Sequence, residues 1–269
     1  MADRRATSIT SKEIHVSDDA RSQWETGVRQ YLDRQVTRAQ WLAATGAGLA
    51  GLGLATQAGA QNLITEATAD ILNIADTAEH LAVTVLTAAV NNATQLGLNA
   101  NGGLLLAVVQ AALAEEQYHA DFLEANGAKP LTDTFTVPDP KILTDPTTFF
   151  STIEAAETLF VGAYMSATRE FSQMGNATLA QYTYQIGGVE AEHRVLARAA
   201  LALAGNDHIP PNNKAFETDV VYYVRDAARM LQDLGFIGGT GTKVTYPGRA
   251  AALAAAGSVG AAISDQKPS

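Results

Sequence analysis

The sequence predicts an all-α protein: a four-helix bundle with one long crossover, followed by a C-terminal helical extension. Three observations carry that prediction. Ala is abundant, and β-branched or aromatic runs of strand length are scarce. Four segments repeat apolar residues at spacings of three and four. The connections between those segments are short, long and short, with Gly, Pro and Asn at the joints.

Composition sets the outer bounds. A chain of 269 residues, 47% apolar and 17% charged, can bury one sizeable core and carry appendages. Its net charge of -10 argues against nucleic acid or an anionic membrane as partner. With no cysteine, disulfides and thiolate metal sites are excluded.

The chain divides into residues 1–60, 61–205 and 206–269. The first part is polar and mixed in charge until the uncharged stretch Trp41 to Ala60. Ala58-Gly59-Ala60 fits the small-x-small pattern before a leader cleavage point. "TRAQWLAATGAG" resembles a twin-arginine export leader, with Arg38 in place but Ala39 at the second arginine position. Arg4-Arg5 lies too far upstream to supply the pair. An exported, periplasmic or extracellular protein is therefore expected. The alternatives are a membrane anchor at 41–60 and a retained Ala/Gly helix in a cytoplasmic protein.

The bundle begins near residue 62. Its first segment runs to about 95, and "GLNANGG" then supplies turn chemistry. The second, near 104–125, stops at "ANGAKP", where Gly127 and Pro130 end the helix. "LTDTFTVPDPKILTDPTT" reads as a long connection. The third, near 146–174, stops at Gly175, and Asn176 can cap the fourth, near 177–204. In the extension, the stripe Val220, Tyr223, Val224, Ala227, Leu231, Leu234 predicts a fifth helix. "GGTGTKVTYPG" reads as loop, and the Ala-rich tail from Arg249 frays into a polar end.

Each inward stripe of the bundle is interrupted by acid. The stripes read Leu72, Ala75, Glu79, Ala82, Leu86 in the first segment and Leu105, Val109, Ala112, Glu116, His119, Leu123 in the second. The third gives Phe150, Ile153, Glu157, Phe160, Tyr164, and the fourth gives Leu179, Thr183, Ile186, Glu190, His193, Ala197. Two segments carry Glu-x-x-His, and residues three apart share a helix face. Glu79 precedes Glu116 by 37 residues and Glu157 precedes Glu190 by 33, so the pattern is an internal duplication of helix pairs. Four buried carboxylates at one level would each cost several kcal/mol and repel one another. Arg194 and Arg198 fall off the inward face, and Arg169 lies well beyond Glu157. Two divalent cations would neutralise the four acids and leave two imidazoles as neutral ligands. Carboxylate oxygen with imidazole nitrogen suits Fe or Mn, with Zn as the alternative. The expected metal ligands are Glu79, Glu116, His119, Glu157, Glu190 and His193, with no catalytic group or organic cofactor beyond them.

Neighbouring groups have separate expectations. Glu154 competes with Glu157 for the same role, with spacing favouring Glu157, and Glu115 is read as solvated or as support to a ligand. Glu192 lies off the metal face. Tyr164 either hydrogen-bonds a ligand or simply fills core. His80 turns away from Glu79 toward the surface or a helix interface, and His15 and His208 have no role.

"ILNIADTAEHL", "EEQYHADFL", "AAETLFVGAY" and "VEAEHRVL" resemble the four helix signatures of the ferritin-like di-metal carboxylate family, which includes bacterioferritins, rubrerythrins and manganese catalases. The resemblance spans about residues 62–235 and looks closest to a branch of exported bacterial and plant desiccation-related proteins. It implies Glu116 and Glu190 as bridges between two ions, with Glu79 and Glu157 as terminal ligands. Ala82 and Val83 stand where related chains place further acids. It further implies a dinuclear Fe or Mn centre reacting with oxygen or peroxide, by ferrous oxidation or peroxide removal, in a stress-protecting oxidoreductase. The competing reading is a non-enzymatic bundle, with a structural metal or none, acting through a partner or self-association as a homo-oligomer. Iron storage in a cage ranks third, because the extension is unlike a minimal storage subunit.

Overall fold

The computed structural model describes residues 65–203 and 214–263. The leader and anchor readings, the start of the first segment, His15 and His208 fall outside them. Among the described residues no helix is long and apolar enough to cross a membrane.

The fold is the all-α bundle that the sequence predicts. Its four long helices are α1 (Thr68–Asn91), α2 (Leu104–Ala125), α3 (Pro146–Gln173) and α4 (Ala177–Leu203). α1 lies along α2, and α3 lies along α4. The first pair is joined by a turn in which Gly102 and Gly103 take φ of 74° and 79°, a conformation only Gly adopts without strain. The second pair turns at Gly175, with φ of 74°. Asn176 then caps α4 by accepting a hydrogen bond from Leu179 N at 3.0 Å, as predicted. α3 starts on Pro146, preceded by Asp145, whose side chain accepts from Thr148 N at 2.7 Å.

The crossover from α2 to α3 is tied to α1. Lys129 N donates to Asn73 Oδ1 at 2.7 Å, and Leu131 N donates to Thr77 Oγ1 at 2.8 Å. It then forms β1 (Thr134–Val137), which pairs antiparallel with β2 (Thr242–Thr245), Phe135 opposite Val244. The segments read as connection and loop thus form a two-stranded ribbon. Phe135 and Val137 drive this by burying their side chains.

The extension contributes α5 (Val224–Asp233) and α6 (Arg249–Gly260). Val220 and Tyr223, placed on the fifth helix by the sequence stripe, precede it instead. Tyr223 is its N-cap, and Asp226 Oδ2 accepts from Tyr223 N. The segment before α5 docks on α3, where Ser166 Oγ donates to Val221 O at 2.7 Å and Arg169 lies over the Tyr222 ring. α6 lies along α2 and α1, and Gln110 Nε2 donates to Ala255 O at 3.1 Å. As a result α1 is buried nearly all round from Glu79 to Thr87.

Arg194 and Arg198 stand off the inward face of α4 but are buried, which the sequence reading did not anticipate. Arg194 pairs with Glu217 from the extension, and Arg198 Nε lies 3.1 Å from Glu154 Oε1 on α3. Burial raises the Glu217 carboxyl, but Arg194 and the Thr218 amide outweigh it and lower it from 4.5 to about 2.

Two outcomes test these contacts. Phe171 is fully buried among Ile71, Leu72, Leu123 and Val224 at one end of the bundle. Phe171→Ala is expected to cost about 3–5 kcal/mol in chemical denaturation, through lost burial and a cavity. The depressed Glu217 carboxyl stabilises the fold fully above 4.5 and loses that effect as pH falls toward 2. Glu217→Gln should therefore lower Tm at pH 7, and the gap from wild type should close over that acid window.

Candidate metal centre

The six predicted ligands meet in the middle of the bundle. Glu79, Glu116 and Glu190 are fully buried, and Glu157 and His193 are buried. One potential ligand atom from each of Glu79, Glu116, His119 and Glu190 lies within 4.8 Å of the others. The same holds for Glu116, Glu157, Glu190 and His193. The two sets share Glu116 and Glu190.

Both histidines turn Nδ1 toward the acids. His119 Nδ1 lies 3.5 Å from Glu79 Oε2, 3.4 Å from Glu116 Oε2 and 3.2 Å from Glu190 Oε1. His193 Nδ1 lies 3.0 Å from Glu116 Oε1, 3.2 Å from Glu190 Oε2 and 3.9 Å from Glu157 Oε1. A ring nitrogen carries one proton at most and cannot serve three carboxylates at once. Accordingly Glu79 Oε2, Glu116 Oε1, Glu157 Oε2 and Glu190 Oε1 are buried and accept no hydrogen bond. Lone pairs converge there from every side, and no Lys or Arg ion pair among the described residues reaches the four acids. The donor set fits divalent cations: hard oxygens with imidazole nitrogens, aimed at a common interior and short of partners.

Protons fill the same deficit when no cation does. Burial, then the charges of Glu116 and Glu190, push the Glu79 and Glu157 carboxyls well above the usual range. Burial opposes charge on His119 and His193, yet Glu190 next to the first and Glu116 next to the second hold both well above the usual imidazole range. Glu116 moves down: burial opposes its charge, but hydrogen bonding to Glu79 and the two imidazoles outweigh it. The acids and rings thus share protons that a metal would displace.

Surrounding groups orient the ligands. The Tyr164 hydroxyl donates to Glu79 Oε1, so this residue both fills core and holds a candidate ligand. Burial and the Glu79 charge keep the phenol protonated well above its usual range. Gly187 on α4 makes room for it, since a Cβ there would sit 3.0 Å from Tyr164 Cβ. The sequence reading missed Gly187, although a Gly-Gly pair inside a predicted helix is an available signal. His193 Nε2 lies 2.8 Å from Glu115 Oε2 and must donate to it, which fixes the ring with Nδ1 facing the acids. Glu115 therefore supports His193, a candidate ligand. Glu154 is drawn off to Arg198, leaving Glu157 in the cluster.

Of the two places expected for His80, the surface or a helix interface, the structure shows the second: it is buried against Glu124 and Asp133. It lies in a third group with Asp76 and Glu124, which the sequence reading did not find.

A four-helix bundle whose facing helices bring two overlapping carboxylate–histidine sets to its centre is a scaffold compatible with bound metal ions. A family model for the ferritin-like domain matches residues 67–203, and the chain belongs to that family. No curated protein and no solved structure gives a significant match.

Glu116→Ala and Glu190→Ala should each lower the bound metal by about one to two ions per chain in elemental analysis, because both residues belong to both sets. Loading the metal-free protein should release protons, and apparent affinity should rise with pH. The raised Glu79, Glu157, His119 and His193 groups set that direction, and calorimetry in buffers of different ionisation heat reads it.

Proposed function

We propose that the protein holds a pair of divalent ions, iron or manganese, and reacts with dioxygen or peroxide. The observation that carries this reading is the sharing of Glu116 and Glu190 between two sets of four ligands. Glu79 and His119 would hold one ion, Glu157 and His193 the other, and the shared carboxylates would span both. Such a pair supplies two-electron redox chemistry when bound.

The chain's own groups prepare that chemistry. Tyr164 fixes the Glu79 carboxylate and places a hydroxyl proton at Oε1. Glu115 holds the Nε2 proton of His193 and keeps its Nδ1 directed inward. Beside Glu157 and His193 lies a pocket of about 20 Å³, walled by Leu86, Val109, Phe149 and Leu196. That volume admits a molecule the size of water, and its apolar wall favours a small neutral oxidant over an ion. Ferrous oxidation and peroxide removal are the two reactions this combination serves best. Membership in the ferritin-like family supports the same reading.

We assign an exported, stress-protecting role on the degenerate twin-arginine-like leader and on the resemblance to the exported and desiccation-related branch.

Anaerobic loading with Fe(II), followed by an oxygen or peroxide pulse and optical detection of ferric iron, tests the reaction. Oxidation that is fast in wild type and reduced at least tenfold in Glu116→Ala is expected, roughly the loss for a disrupted metal centre. Bound iron inert to both oxidants would leave a structural role, and a mineral of many irons per chain would indicate storage.

A further inference from the structure

A second cluster lies on the opposite flank of α1. Asp76 and His80 stand one helical turn apart, Glu124 comes from the last turn of α2, and Asp133 comes from the crossover. Asp76 is fully buried, and neither of its carboxylate oxygens accepts a hydrogen bond. His80 Nε2 is likewise buried without one. A bare carboxylate inside a protein costs several kcal/mol, so Asp76 calls for a partner beside it, either a proton or a cation.

The geometry says what kind. His80 Nδ1 lies 2.8 Å from Asp133 Oδ1, and a carboxylate only accepts, so Nδ1 carries the proton. With Nδ1 so engaged, Nε2 is the ring atom left to face the other side, where it can offer a lone pair to a cation. There it meets Glu124 Oε1 at 3.3 Å and Asp76 Oδ1 at 3.7 Å, two acceptors facing a third. One ligand atom from each of the three lies within 4.8 Å of the others. A carboxylate on one imidazole nitrogen and a free lone pair on the other is the arrangement that orients metal-binding histidines. Tyr246 stacks on the ring at 3.8 Å between centroids and 13° between planes, which fixes its plane. Glu124 is half-exposed, at 48% of its side chain, and provides a route from solvent.

We propose that Asp76, His80 and Glu124 form a separate mononuclear site for a divalent first-row transition ion such as Zn²⁺, oriented by Asp133. Two carboxylates and one imidazole with solvent at the open side suit Zn²⁺ or Mn²⁺, and the imidazole disfavours Mg²⁺ and Ca²⁺. The ion joins α1 to the end of α2. Through the Asp133–His80 bond and the Tyr246 stack it also fastens the crossover and the extension to the bundle. This site is independent of the reaction proposed for the central cluster.

The test is zinc content of the full-length protein, stripped with chelator, loaded with Zn²⁺ and desalted. The double variant Glu116→Ala/Glu190→Ala should keep about one Zn²⁺ per chain, and adding His80→Ala should remove it. Glu124→Gln in the wild-type background should lower zinc content by about one ion, and excess Mg²⁺ should not reproduce the loss. Glu124 is half-exposed, so this variant decides the matter if the multiple variants fail to fold. Zinc absent from the double variant while it remains folded, or zinc unchanged by both His80→Ala and Glu124→Gln, would overturn the site. Should the central cluster bind no metal, wild type and double variant would both hold about one ion, still lost with His80→Ala.

Discussion

Four carboxylates held at one level inside a helical bundle, without a lysine or arginine among them, constrain everything else in this structure. Mutual repulsion and desolvation both oppose the arrangement, and each is larger than the few tenths of a kcal/mol that helix surface pairs return. The bundle tolerates it because protons, or a cation in their place, occupy the space between the acids. The long helices and their caps keep Glu79, Glu116, Glu157 and Glu190 from moving apart, and the apolar layer around Phe171 locks one end of the bundle. Local unfolding would release the acids to water, so the fold holds the site against its own electrostatics.

Duplication of the helix pair gives the ligands an approximate twofold relation, but their surroundings are not equivalent. Tyr164 stands seven residues after Glu157 and caps Glu79, whereas the matching position after Glu79 is Leu86, which lines the pocket beside Glu157. Glu115 precedes Glu116 and holds His193, whereas Val189 precedes Glu190. One half of the centre is therefore finished with a hydroxyl and the other with apolar surface and a small cavity. Two ions bound there would meet different fields, and access from the apolar pocket is to the Glu157 and His193 half alone.

The central cluster was legible in sequence because its signal is periodic. An acid interrupting an apolar stripe, twice with His three residues on, is read along single helices and needs no knowledge of their packing. The same reasoning failed where the partner is remote or the period is short. β1 and β2 are four residues each and lie over a hundred residues apart, so neither shows an alternation long enough to register. Spacing favours Glu157 over Glu154, and the Arg198 contact across the helix pair, which no single helix reveals, is what draws Glu154 away. Arg194 stands off the inward face as its spacing says, but its burial beside Glu217 depends on an irregular part of the extension that carries no periodic signal.

The grouping of His80 with Asp76 and Glu124 escaped the sequence reading for a related reason. Successive helix residues point about 100° apart, so Glu79 and His80 address opposite flanks of α1. In a bare four-helix bundle the second flank would face water, and Asp76 and His80 would be an ordinary exposed pair. Here the crossover is tied to α1 at Asn73 and Thr77, and Tyr246 of the extension closes over the ring. The extension therefore does more than enlarge the core. Its Tyr246 fixes the plane of the His80 ring while Asp133 of the crossover holds Nδ1, so that Nε2 faces a buried carboxylate that no donor serves. An extension evolved only for stability would be expected to place an apolar side chain or a cation opposite Asp76, so its failure to do so is the structural reason to look there for a bound ion.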